Sequence, residues 1–169
     1  MFTHVVGTFK CLRCAAEQEA SIQTYLFKTT YDNTLADYRR GQAEIVDGLE
    51  DFDALHPWDG GSPLVLVLGD WDCRACGLGG QWAKTTLAMT RSADEWIGRI
   101  EGVETFLPAG PDTFDGVHYV EPWLARLVGF NIDNPPAWRQ LSVEQRCAAM
   151  AAGFNAWCVE VAGVPAPGA

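Results

Sequence analysis

The chain has no apolar stretch long enough to cross a bilayer. Its longest aliphatic run is Leu64 to Leu68, whereas a spanning helix needs about 20 apolar residues. An amino-terminal secretion signal is also lacking, because Met1-Phe2-Thr3-His4 carries no basic region and no long apolar segment follows it. A cytoplasmic location with no membrane partner is therefore expected. Positive charge is scarce: 12 Lys and Arg stand against 22 Asp and Glu, for a formal net charge of −10, and the cations are scattered. Such a surface repels phosphate backbones, so no direct nucleic-acid binding is expected. Histidine is scarce too. His4, His56 and His118 lie far apart, none forms a metal motif with a nearby His, Asp or Glu, and each reads as an ordinary surface or packed residue. Gly77-Leu78-Gly79-Gly80 lacks the Lys-Ser/Thr of a phosphate loop and reads as a turn.

Apolar material, by contrast, is ample. Hydrophobic residues make up 48% of the 169 and aromatics 11%, including seven Trp. That suits one compact core with a terminal elaboration and argues against wholesale disorder. Along the chain, Thr3 to Lys10 reads as a short strand, Ala20 to Lys28 as a second and Ala36 to Val46 as a third extended element. Leu64 to Leu68 is the strongest strand candidate, with turn signals before it. Gln81 to Thr90 and Glu95 to Phe106 offer further strands, although Trp96, Ile97 and Ile100 also stand at helical spacing. Tyr119 to Val128 suits a short helix. Ser142 with Gln145 three residues later is a capping-box signature ahead of a last helix, striped by Val143, Cys147, Met150, Ala151, Phe154, Trp157, Cys158 and Val161. Gly163 and Pro165 mark its end.

The six cysteines carry the chemistry. In a reducing compartment, paired cysteines read as metal ligands in preference to disulfides. Cys11-Leu12-Arg13-Cys14 and Cys73-Arg74-Ala75-Cys76 each space two thiols so that one tight turn aims both sulfurs at a tetrahedral ion. The 58 residues between the pairs exceed a compact ribbon, but each doubling of loop length adds only about 0.6 kcal/mol of closure entropy. Gly77 can supply the positive φ that a knuckle needs, whereas Ala15 holds the equivalent place in the first. One zinc ion held by Cys11, Cys14, Cys73 and Cys76 has no open position for water, so its role would be structural. Two unrelated reduced pairs are the bland alternative. A redox motif is disfavoured, because both pairs stand at strand ends and not at the start of a helix.

Other chemical-looking residues read as structural. Cys147 and Cys158 lie on the apolar stripe, where cysteine is inert. Asp70 and Asp72 share a strand face like an acid/base pair, but read as a solvated face. No catalytic residue is assigned.

At the two knuckles the chain resembles zinc-ribbon proteins. More broadly, Cys11 to Trp82, with Tyr38-Arg39-Arg40-Gly41-Gln42 between the cysteine pairs, is similar to small uncharacterised bacterial proteins that carry a β insertion inside such a ribbon. The segment beyond Pro108 is unmatched. The resemblance implies a scaffold and no particular activity. The expected fold is α+β, a zinc-ribbon-like antiparallel β core with C-terminal helices. Residues 1–107 would form the zinc-stapled β domain and 108–169 a helical extension packed on it.

Acidity then directs the functional expectation. Asp32 to Asp59 holds eight acidic and two basic residues, and acidic patches speed encounter with basic proteins. A non-enzymatic protein that binds and neutralises a basic protein partner is expected, as a bacterial toxin immunity protein would, through Asp47, Glu50, Asp51, Asp53 and the loop aromatic Trp58. Trp138, in a second irregular segment, is a further candidate anchor. The alternatives are a phage or bacterial regulator that inhibits a nucleic-acid enzyme, a nucleic-acid-binding zinc ribbon, and an enzyme whose site converges only in three dimensions.

Overall fold

A computed structural model describes residues 2–30, 36–47, 63–108, 110–114, 117–127 and 141–166. They form two sheets and a helical layer. The first sheet has the order β2-β1-β3, from β1 (Thr3–Lys10), β2 (Glu17–Thr24) and β3 (Asp37–Tyr38). The second has the order β4-β7-β6-β5-β8, from β4 (Ala43–Val46), β5 (Leu64–Trp71), β6 (Gln81–Ser92), β7 (Glu95–Thr105) and β8 (Val117–Val120). A 3-10 turn spans Pro111–Phe114, and the helices are α1 (Pro122–Leu127) and α2 (Val143–Trp157), the latter continued by a π turn over Cys158–Ala162.

The mixed α+β class is as expected, with several differences in detail. Pairing is antiparallel except where β3 joins β1 and β8 joins β5, both in parallel. The extended stretch from Ala36 to Val46 splits into β3 and β4, which belong to different sheets. Around Trp96 the strand period wins over the helical one: β7 pairs with β6 from Ser92↔Glu95 to Ala83↔Thr105, so ladder hydrogen bonds outweigh the helical spacing. The helix expected from Tyr119 begins instead as the end of β8. The backbone amide of Glu121 bonds Leu68 O at 2.8 Å, and the helix starts at Pro122, whose missing N–H costs nothing in a first turn.

Register sorts the side chains into layers. Thr3, Val5, Gly7 and Phe9 on β1 oppose Thr24, Ile22, Ala20 and Gln18 on β2, and this face packs on the second sheet. Approach there is close: a Cβ at Gly7 would lie 2.6 Å from Val103 Cγ1, so only glycine fits. The opposite face of the second sheet carries Trp82, which meets Phe154 of α2 edge-on at 5.0 Å between ring centroids. The end of the chain is held by the expected capping box, with Gln145 N donating to Ser142 Oγ at 3.1 Å and Ser142 N to Gln145 Oε1 at 2.9 Å. Gly163, at φ 66°, ends it in the left-handed conformation. Cys147, Met150, Ala151, Phe154, Trp157 and Cys158 of the expected stripe are buried, whereas Val161 is exposed. No helix among the described residues is long and apolar enough to cross a membrane.

Candidate metal centre

Strand β1 delivers the chain to Cys11 and β5 delivers it to Cys73, so two hairpin turns meet at one end of the sandwich. The turns are built alike. Cys11 N donates to Ala16 O and Ala15 N to Cys11 O, at 2.9 and 3.0 Å; Cys73 N donates to Leu78 O and Gly77 N to Cys73 O, both at 2.9 Å. Each turn has its fifth residue in the left-handed region, Ala15 at φ 59° and Gly77 at φ 69°. Ala15 therefore adopts the conformation that sequence alone assigned more readily to glycine.

All four Sγ atoms lie within 4.8 Å of one another. Cys11 to Cys76 and Cys14 to Cys73 measure 3.7 Å. Zinc–sulfur bonds of about 2.3 Å in a regular tetrahedron put sulfurs about 3.8 Å apart, while a disulfide needs about 2.0 Å. The donor set thus fits a tetrahedral ion. Cys11 and Cys73 are buried, Cys76 is half-buried and Cys14 is exposed, so the cluster has a core side and a solvent side.

Electrostatics point the same way, since four adjacent thiols cannot all ionise unaided. A hydrogen bond from the Leu78 amide, helped by Arg13 and by neighbouring thiols, lowers Cys76 to about 6. Against a hydrogen bond from the Ala16 amide that favours its thiolate, the partial desolvation of the exposed Cys14 and the other three cysteines push it up to about 11. Amides of Arg13 and Cys14 donate to Cys11 Sγ at 3.4 and 3.5 Å. The Arg13 guanidinium reaches over the second knuckle to Cys76 O at 2.7 Å and brings positive charge to a thiolate-rich site.

Two glutamines absent from the sequence-based site complete the surroundings. Gln18 of β2 donates to Asp72 O and accepts from Arg74 N, each at 3.0 Å. Buried Gln81 of β6 accepts from Leu12 N at 2.9 Å and donates to Leu78 O at 3.4 Å. Their partners are 54 to 69 residues away except for Leu78, so no local motif announces them.

Asp47 is exposed at the end of β4, while Glu50, Asp51, Asp53, Trp58, His56 and Trp138 lie outside the described residues. His4 Nδ1 lies 3.3 Å from Asp37 Oδ1, and His118 stands in β8. Cys147 and Cys158 are buried in the core under α2, and burial pushes the Cys158 thiol up. The reading of Asp70 and Asp72 as a solvated pair needs correction. Asp72 is exposed and its Oδ1 accepts from Gly80 N at 2.9 Å, but Asp70 is largely desolvated, and burial first, then the Asp72 charge, raises it to about 6.

A second acid lies in the core. Glu121 is 1% exposed. Its carboxyl contacts the Thr24 hydroxyl and accepts from Tyr25 N at 3.3 Å, beside a cavity of about 10 Å³ lined by Val5, Ile22, Val67, Gly69 and Thr85. Burial raises it to about 8 against the opposing hydrogen bonds of Thr24 and Tyr25, with the Asp70 charge adding to the rise. A lone Glu before Pro122 gives no sequence signal of burial.

Comparison with family models, curated proteins and solved structures found no match to this chain.

Proposed function

We propose that this protein is a zinc-stapled, non-enzymatic scaffold that binds and neutralises a basic protein partner, in the manner of a bacterial toxin immunity protein. The observation that carries the zinc-stapled part of this reading is the convergence of Cys11, Cys14, Cys73 and Cys76, with all four sulfurs within 4.8 Å of one another and two pairs at 3.7 Å. A closed set of four soft ligands suits zinc, and a fully ligated zinc ion does no chemistry on a substrate. Its service is structural: it joins two hairpin turns from separate sheets, and function then belongs to the surface so presented.

Support for a basic partner comes from charge. The net charge of −10 includes −6 between Asp32 and Asp59, which favours fast encounter with a cationic protein. Trp123, 59% exposed on α1, adds an apolar anchor of the type enriched at interfaces.

Elemental analysis of the purified protein tests the staple, with one zinc per chain expected; a ratio near zero, with no change on chelation, overturns it. For the partner, pull-down against candidate basic proteins is expected to give an association rate that falls steeply with salt. A salt-insensitive rate, or recovery of no basic protein, sinks that reading. Retention of DNA or RNA on filters at low salt would favour the nucleic-acid-binding ribbon instead.

A further inference from the structure

The two glutamines beside the cysteines are related in a way that neither knuckle reveals alone. Gln18 stands on the strand that follows the first knuckle and grips the second; Gln81 stands on the strand that follows the second and grips the first. The amides they receive are equivalent. Leu12 follows Cys11 and Arg74 follows Cys73, and each donates to the glutamine Oε1, at 2.9 and 3.0 Å. Both glutamine Nε2 groups then donate to carbonyls of the second turn, Asp72 O for Gln18 and Leu78 O for Gln81. Leu78 O already accepts from Cys73 N, so Gln81 ties Leu12 to the hydrogen bond that closes the second knuckle.

We infer that Gln18 and Gln81 form a reciprocal brace that fixes the two knuckles against each other and thereby retains the metal ion. They are positioning residues, and the inference rests on the zinc reading above. A turn amide that points into a side-chain amide cannot rotate freely, so the sulfur next to it keeps its direction. Loss of such outer contacts lets the ligands wander and lowers metal retention by about 10–100-fold in well-studied sites. The arrangement is unequal. Gln81 is buried, so its loss strands Leu12 N–H while Leu78 O keeps its bond from Cys73 N, whereas Gln18 is only half-buried and water can replace it.

The test uses Gln18→Met and Gln81→Met, which keep side-chain length and remove both hydrogen bonds, with Leu87→Ala as a core control far from the cysteines. Zinc transfer to a chromophoric chelator and amide hydrogen exchange are measured on the full zinc-loaded chain. Gln81→Met is expected to release zinc about 10–100-fold faster, with Gln18→Met accelerated less. Exchange should rise at Leu12 in Gln81→Met and at Arg74 in Gln18→Met, each without the other. Release within twofold of wild type in both variants overturns the brace, as does equal loss of protection at both amides in either. Acceleration by Leu87→Ala to the level of Gln81→Met also overturns it, because release then follows general unfolding. Wild-type protein that binds no zinc refutes the metal reading itself, a result distinct from all of these.

Discussion

The β1–β2 hairpin has an acidic site toward each end, one partly and one fully buried, and the two manage charge by different means. Near Lys10 and Glu17 the chain gathers four thiols, two of them buried, whose thiolate charge a divalent cation can offset. Near Thr3 and Thr24 it buries one carboxyl, Glu121, which has no cationic partner among the described residues; a proton does the work of the cation. An isolated buried charge is prohibitively costly, so the first end suits a cation that offsets its thiolates and the second a carboxyl that keeps its proton. The difference lies in geometry. Four sulfurs within 4.8 Å of one another surround a point, whereas Glu121 meets one hydroxyl and one backbone amide beside a cavity of about 10 Å³, barely room for a single water.

Removal of the cation should therefore produce the largest effect. Structural zinc contributes on the order of 10 kcal/mol of apparent folding free energy, while whole domains are stable by only about 5–15 kcal/mol. Cys11→Ala, or strong chelation of the wild type, is expected to abolish the cooperative thermal transition and the near-ultraviolet signal of the packed tryptophans. An unchanged melting temperature after either treatment would show that the first end needs no ion.

Alkali should act on the other end, with the opposite sign. Glu121 holds its proton up to about pH 8 in the folded state against about 4.5 in the unfolded chain. Its contribution is complete below pH 4.5, and it is lost as pH rises through about 8, because the unfolded state releases the proton first. Asp70, raised to about 6, works in the same direction over a lower window. Of these two carboxyls, Glu121 gives the larger fall between pH 6 and 8; it faces Thr24 and Tyr25 from β2 and its continuation, Asp70 from β5 and Tyr119 from β8. Glu121→Gln should flatten denaturant-measured stability across that range, whereas Glu121→Ala should cost about 1–3 kcal/mol at pH 6 by stranding Tyr25 N–H. Zinc binding moves the other way, since acid protonates the thiolates and releases the ion. A Glu121→Gln variant as pH-dependent as wild type between 6 and 8 would break the contrast.

These two ends were unequally legible in the sequence. Cysteine spacing exposes the first, because two residues between thiols is a local constraint that a turn must satisfy. The strands of the hairpin and of the β5–β6 pair are readable for the same reason, through alternation and turn residues on either side. Glu121 has no such signature: Thr24 is 97 residues away and Tyr25 is 96, and its burial depends on β8 docking in parallel against β5. The division of Ala36 to Val46 between two sheets is likewise a matter of distant partners, His4 and Val5 for β3 and Trp96 to Arg99 for β4. Local pattern identifies the extended conformation but cannot choose the neighbour.

Within the metal end, a smaller comparison remains between the turns themselves. Ala15 and Gly77 hold the same left-handed conformation, at φ 59° and 69°, yet a side chain there costs about 1–2 kcal/mol relative to the right-handed region. Glycine escapes that strain but gives back part of the gain through its larger unfolded-state entropy. Ala15→Gly should therefore stabilise the zinc-loaded protein by up to about 1 kcal/mol, and Gly77→Ala should destabilise it by a similar amount. Steric contact does not complicate the second change, because an added Cβ at Gly77 meets nothing within 4 Å. Opposite shifts in the denaturation midpoint, with zinc stoichiometry unchanged in both variants, are the expected result. If both substitutions shift the midpoint in the same direction, the knuckles are not equivalent, and the strain at Ala15 is relieved by contacts that Gly77 lacks.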